Sequence, residues 1–286
     1  MDDSKFFIVG ANGQLGTALR AQYPQAQFAD IDEMDITDRA SVMGYDWSGV
    51  THILNAAAYT NVDGAETAEG RMAAWKVNAA AVGYLAEVAR QHDITLVHIS
   101  SDYVFDGTKH PHTEQEDFAP LSVYGASKAA GDLLVASLPK HYILRTSWVI
   151  GEGNNFVRTM LGLGAKGVSP TVVADQVGRL TFTSELVRAI DHLLSTSAAH
   201  GTYNVSNSGE PASWADIARH IFEIAGHKDL TVTDTTTAEY FAGKENIAAR
   251  PLHSTFDLTK LTATGFESRG WYDELREYVK KELSTQ

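Results

Sequence analysis

A short apolar run, Phe6-Phe-Ile-Val9, breaks directly into Gly10-Ala-Asn-Gly13-Gln-Leu-Gly16, and no other feature restricts the fold of this chain as much. A strand that ends in closely spaced glycines and leads into a helix lets backbone approach a pyrophosphate. The helix start behind it offers unpaired N–H groups and a favourable dipole to an anion. The spacing is GxxGxxG rather than GxGxxG, so placement after a strand carries the reading. The same alternation continues. Gln27 to Ala29, Thr51 to Asn55, Ile94 to Ile99 and His141 to Arg145 read as strands. Gly13 to Gln22, the alanine-rich stretch around Arg71 to Gln91, and Ser122 to Ser137 read as helices. This order predicts an α/β fold, a Rossmann-type doubly wound parallel sheet with helices on both faces.

The texture changes near residue 150. Gly151 to Asn155 is a polar loop, and Gly162, Gly164 and Gly167 are expected to interrupt the helix that follows. Thr202 to Val205 reads as one more strand, and Ser213 to Ala225 as a helix capped by Ser213. Thr231 to Pro251 reads as loop-rich, and Trp271 to Leu283 as a final helix. Residues 1–150 are therefore expected to form the dinucleotide-binding domain, with return segments within 180–206. Residues 151–286 would form mainly a smaller substrate-binding lobe over the carboxyl ends of the strands, where open α/β sheets bind ligands.

Composition removes several classes of function. The 286 residues carry a formal net charge of −13, which argues against nucleic acid or an anionic membrane as a main partner. The absence of cysteine excludes disulfides, thiolate metal sites and a thiol nucleophile. The acidic start does not read as a secretory signal, and no apolar run approaches a membrane span, so a cytoplasmic protein is expected.

Three sets of residues carry chemistry. Asp30 follows Gly10 by about 20 residues, where a carboxylate can accept from ribose hydroxyls, with Asp32 and Asp35 as rivals. No Arg or Lys lies between Asp30 and Asp38 to hold a 2′-phosphate, which tilts the reading from NADPH towards NADH. Tyr124-Gly-Ala-Ser-Lys128 places a phenol and an ammonium on one helix face, so that the lysine could ease proton exchange by the tyrosine. The pattern recurs at Tyr240 and Lys244, but in an irregular region with no strand feeding it. Ser101, following the strand Ile94 to Ile99, singles out Tyr124, since a serine there could hold a substrate carbonyl while the tyrosine delivers a proton. His110 and His112 read as part of a solvated loop rather than a metal site, and His98 as a satisfied core histidine. Trp148 reads equally as packing or as a stacking platform.

These motifs resemble the extended short-chain dehydrogenases, and within them the dTDP-4-dehydrorhamnose reductases. The resemblance runs over nearly the whole chain. It rests on Gly10 to Gly16, Asn55 to Asp63, Ser101 to Gly107, Tyr124 to Lys128, Arg145 to Trp148 with Asn154 to Phe156, and on Asp175-Gln176 and Arg250-Pro251. It implies reduction of a dTDP-sugar ketone by NADPH or NADH, with Ser101, Tyr124 and Lys128 catalytic. It implies cofactor contacts from Gly10, Asn12, Gly13, Gln14, Leu15, Gly16, Asp30, Asp35, Ile36, Ala56, Ala57, Ala58, Tyr59 and Asn78, as well as from Tyr124 and Lys128. Substrate contacts would come from Thr60, Val62, Ser101, Asp102, Tyr103, Tyr124, Trp148 and Asn155. Members that form a metal-bridged dimer carry an acidic residue where this chain has Ala18, so a monomer without metal is expected. Where the family reads Asp-Gln-x-Gly-x-Pro-Thr, this chain has Arg179-Leu180 before Thr181. That leaves an altered loop or a surface charge open. An epimerase or dehydratase on the same fold, and a non-catalytic regulatory subunit, are the rival readings.

Overall fold

The computed structural model describes residues 1–285. Six parallel strands form the central sheet: β1 (Phe6–Val9), β2 (Gln27–Ala29), β3 (His52–Asn55), β4 (Thr95–Ser101), β5 (His141–Thr146) and β6 (Gly201–Asn204), in spatial order β6-β5-β4-β3-β1-β2. Pairing Val9 with Asn55 and Ser101 with Thr146 brings the carboxyl ends of the central strands to one edge. Strand order reverses between β1 and β3, and a crevice opens there in doubly wound sheets. The inner strands β1, β4 and β5 are near-continuously buried, as expected where helices cover both faces.

One face is covered by α1 (Gln14–Gln22) and α7 (Thr183–Ser195), with Leu15, Leu19, Leu186 and Ile190 against Ile8 and Leu144. The other face holds α2 (Arg39–Gly44), the run α3 (Ala68–Trp75) to α4 (Ala81–Gln91), and α5 (Val123–Ala136). The α3–α4 helix is continuous but passes through a π-turn at Lys76–Ala80, which holds Asn78. Such insertions re-aim side chains and occur often at functional sites.

Residues 148–182, 212–232 and 271–279 share a separate core, in which Leu161, Leu180, Ile221, Phe222 and Leu275 pack among α6 (Phe156–Ala165), α8 (Trp214–Ala225) and the last helix, Trp271–Ser284. Residues 183–204 instead supply α7 and β6 to the main sheet. Helix α8 begins with a full capping box from Ser213 and Asp216. The expected interruption of α6 does not occur. Gly162 and Gly164 lie inside the helix, and a Cβ at Gly164 would meet the His227 ring at 2.6 Å, so packing explains that glycine. The Thr231–Pro251 region is more ordered than expected. Thr233–Thr235 pairs with Thr171–Val173, and the carboxylate of Asp175 accepts from the Thr237 N–H and hydroxyl at the start of a short helix, Thr237–Phe241.

Candidate active site

The glycine turn is shaped by what it must pass. Gly10 has φ +74°, and a Cβ there would lie 2.6 Å from the Ala57 backbone. At Gly16 a Cβ would lie 2.1 Å from the Gly10 carbonyl oxygen, so α1 can start close to β1 only with glycine at that position. Gly13 is looser, with its nearest neighbour at 3.4 Å. Beyond the turn lies a cleft of about 320 Å³ lined by Gly10, Gly13, Asp30, Asp35, Ile36 and Ala56 to Ala58, with Met34 and Val77 as apolar walls. A backbone cradle that side chains would fill, next to an apolar slot with carboxylates at its rim, fits a dinucleotide.

Several sequence-predicted residues act on the wall of this cleft. The Asn12 N–H donates to Asp30 Oδ2 at 2.8 Å, which fixes the acidic loop against the turn. Asp35 accepts from the Thr37 hydroxyl and N–H, and these bonds hold its carboxyl below the usual range. Asp32 is exposed and does not line the cleft. Leu15 is buried under α1, and the Gln14 amide reaches the Asn154 carbonyl at 3.4 Å. Asn78 clamps Tyr59, accepting from its N–H and donating to its carbonyl, and also donates to Ser127 Oγ. A cation reaches this end of the cleft from outside the Asp30–Asp38 stretch, as Arg20. From α1 it donates to Asn12 Oδ1 at 3.2 Å and lies 4.0 Å over the Phe28 ring, which brings a cation to the adenosine end.

The catalytic candidates converge at the end of β4. Ser101 lies within that strand, not after it, and accepts from the Tyr103 N–H at 3.2 Å. Its Oγ donates to Asp102 Oδ1 at 3.0 Å, and its hydroxyl favours the ionised form of the nearby Tyr124 phenol. Burial pushes the Tyr124 phenol up to about 12; the Ser101 hydroxyl opposes this, and Asp102 and Asp132 add to it. Lys128, one turn along α5, is 2% exposed and donates to the Ile99 carbonyl at 2.6 Å. Burial brings its ammonium down to about 8, with Asp132 opposing. Lys128 is directed at backbone rather than at the phenol, so the expected depression of Tyr124 by Lys128 is not what this arrangement shows. Tyr103 sits edge-on to Tyr124 with ring centroids 5.4 Å apart, and Tyr59 and Val62 pack in the same apolar patch. Thr60 is exposed on the loop after β3.

Other expectations need correction. Asn155 caps α6, and its amide donates to the Gly151 carbonyl and the Tyr278 hydroxyl, so its polar atoms hold the loop rather than face a ligand. His112 is not solvated. It is buried and stacked on Phe105, with Nδ1 bonded to Glu116 and Nε2 to the His253 carbonyl. His98 is a core histidine only half satisfied. Its Nδ1 meets the Asn55 amide, while Nε2 has no hydrogen-bond partner and lies 3.9 Å from Asp132. Arg179 is not a surface charge, since it staples the Gly209 and Phe256 carbonyls. Leu180 in the missing proline's place is fully buried in the second core. The second tyrosine–lysine pair lies outside the cleft, with the Lys244 ammonium 4.1 Å over the Tyr240 ring. Trp148 adopts φ +49° and stacks on Trp214 at 3.8 Å, a partner that sequence spacing did not suggest.

Residues 4–284 match the family described as RmlD substrate binding domain. The chain belongs to this family. Among its curated relatives, the dTDP-4-dehydrorhamnose reductase of Aggregatibacter actinomycetemcomitans is 39% identical, with 96% of this chain and 97% of that protein covered. Among solved structures, a dTDP-4-dehydrorhamnose reductase from Clostridium acetobutylicum superposes with a TM-score of 0.89 at 36% identity, covering 97% and 99% of the two chains. The dTDP-4-dehydrorhamnose reductase of Bacillus anthracis, solved in complex with NADP, gives 0.87 at 37% identity, covering 97% and 98%. The RmlD-type relatives thus match this chain across both cores, not the glycine-turn half alone.

Proposed function

We propose that this protein reduces the C4 keto group of dTDP-4-dehydro-L-rhamnose to give dTDP-L-rhamnose, with NADPH or NADH as reductant. The observation that carries the reading is the buried Ser101–Tyr124 pair at the end of β4, beside a glycine-lined cleft that fits a dinucleotide. A bound nicotinamide would supply the hydride. The chain supplies the rest. Tyr124, held protonated through the neutral range by burial, donates a proton to the ketone oxygen as it gains charge. Ser101 orients that oxygen, and Lys128 holds the nicotinamide ribose. Gly10, Asn12, Gly13 and Gly16 receive the pyrophosphate, Asp30, Asp35 and Ile36 the adenosine, and Ala56 to Tyr59 with Asn78 the remaining wall.

Thr60, Val62, Tyr103 and Trp148 are the residues we assign to the sugar nucleotide, with Asp102 acting from behind Ser101. Trp148 offers an aromatic face, and its backing by Trp214 supports that role. Asn155 drops out because its amide is fully engaged in the loop. A dehydratase would use a pair of acid–base carboxylates; here Asp102 has both oxygens on serines and is followed by Tyr103. We read the protein as cytoplasmic and as a monomer; the position where the resemblance would place a bridging acidic residue is Ala18, which packs against the main core.

Isotope tracing tests the reaction. Incubation with dTDP-4-dehydro-L-rhamnose and 4-deuterated nicotinamide cofactor should place deuterium on C4 of the product. Deuterium retained in the cofactor beside a rearranged sugar would instead identify a redox-neutral enzyme.

A further inference from the structure

The segment Ala248–Asp257 crosses from the second lobe to the sheet and bonds along its length. The Val177 N–H donates to the Leu252 carbonyl and the Ser254 N–H to the Val177 carbonyl, while the His112 N–H donates to the Thr255 carbonyl and the Asp257 N–H to the His112 carbonyl. Arg250 grips both oxygens of Asp63 at 2.8 Å, on the loop after β3. Pro251 lies against Gly107, which leaves no room there for a Cβ. At the centre of this strap is a buried serine that the proposed mechanism leaves unused. Ser254, 3% exposed, donates from Oγ to Asp102 Oδ2 at 2.5 Å.

Asp102 therefore stands between two serines, accepting from Ser254 on one oxygen and from Ser101 on the other. A hydroxyl has one proton. While Asp102 is ionised, the Ser101 proton is committed to it, and Ser101 can offer only lone pairs to Tyr124 or to a substrate. When Asp102 is protonated, Ser101 is released to donate. We propose that Ser254 is a positioning residue which, by bonding the far oxygen of Asp102, sets the direction in which the catalytic Ser101 hydroxyl donates. The proposal rests on the ketone-reductase reading for its kinetic consequences, but not for the hydrogen-bond chain itself.

The setting suits a switch near neutrality. Burial pushes Asp102 up to about 6, and the Ser254 and Ser101 bonds hold it from going higher. The other groups facing it are His112 from the loop after β4, which favours its ionised form, Tyr103 of its own turn, and Tyr124 from α5. Behind these stand Glu116 on His112, Arg250 and Asp63 beside Tyr103, and Asp132 acting on Tyr124. None of these bonds Asp102. Loss of the Ser254 hydroxyl removes one of two side-chain donors to a buried carboxylate, so Asp102 should keep its proton to higher pH by roughly one unit.

The test compares wild type, Ser254→Ala and Ser254→Thr, with Asp102→Asn as reference. The first readout needs no turnover. The infrared band of a protonated buried carboxyl, assigned by its loss in Asp102→Asn, is titrated in each folded protein. It should titrate about one unit higher in Ser254→Ala and return to the wild-type position in Ser254→Thr. The second readout is the pH dependence of kcat for the keto-sugar, whose break near 6 should move with the band, while KM for the cofactor stays within about twofold. A band that titrates identically in wild type and Ser254→Ala overturns the proposal, as does a kcat profile lowered at every pH without a moved break. If wild type fails to turn over the keto-sugar, the reductase reading falls, and the infrared titration still decides the role of Ser254.

Discussion

At the glycine turn the site is shaped by backbone passing close to backbone; around Tyr124 it is shaped by side chains held by remote partners. Gly10 and Gly16 matter for the Cβ atoms they lack. Ser101, Asp63 and Trp148 matter for what Ser254 (through Asp102), Arg250 and Trp214 do to them from the second lobe. A backbone wall tolerates no added atom but needs no partner. A side-chain wall can be retuned from a distance, and that is how one sheet serves different substrates while keeping its cofactor site.

If the contrast is right, substitutions on the two sides should fail in different ways. The largest effect is expected on the backbone side. Gly16→Ala drives a methyl into the Gly10 carbonyl and Ala11, both rigid, and should cost about 3 kcal/mol or more in urea unfolding. Gly13→Ala meets nothing closer than 3.4 Å and should cost less than about 1 kcal/mol. Equal losses in the two variants would show that the turn is not shaped by close approach.

The side-chain side should show stability given up for function. Lys128 is buried with its ammonium lowered to about 8 from an ordinary 10.5. Folding disfavours its charged form, so the cost is full below about pH 8, shrinks as pH rises, and is gone above about 10.5. Lys128→Met should therefore stabilise the unliganded protein by up to about 3 kcal/mol at neutral pH and lose that gain at high pH, while turnover is abolished. Destabilisation at neutral pH would mean that the Ile99 carbonyl and Asp132 more than repay the burial.

Smaller effects separate the partners. Arg250→Ala frees the loop carrying Asp63 and should raise KM for the keto-sugar roughly tenfold, or about 1.4 kcal/mol, with cofactor affinity unchanged. Arg20→Ala should weaken NADPH relative to NADH by only about threefold, since an exposed cation contributes little. Equal loss for both cofactors would place Arg20 away from the 2′-phosphate.

The same division explains what could be read before the fold was seen. The alternation of strands and helices, the glycine turn, and Ser101 with Tyr124 and Lys128 are patterns of neighbouring residues, fixed by helix and strand periods. Asp102 was visible as a residue, but its second hydroxyl donor lies in the far strap. Arg20 lies outside the Asp30–Asp38 stretch, and only the turn of α1 carries it back to Asn12 and over Phe28; Trp214 meets Trp148 only through the packing of α8. His112 reads as solvated in the sequence for a general reason. Loop residues with polar side chains look solvated until tertiary structure supplies their partners.

The proposed reaction depends on Tyr124 as proton donor to a ketone. Single-turnover oxidation of bound NADPH by dTDP-4-dehydro-L-rhamnose, in wild type and Tyr124→Phe, tests it most directly. Loss of a positioned general acid should slow the oxidation step by about 10²- to 10⁴-fold while NADPH still binds with wild-type affinity. Oxidation at the wild-type rate in Tyr124→Phe would contradict the assignment and leave the proton to come from elsewhere in the site.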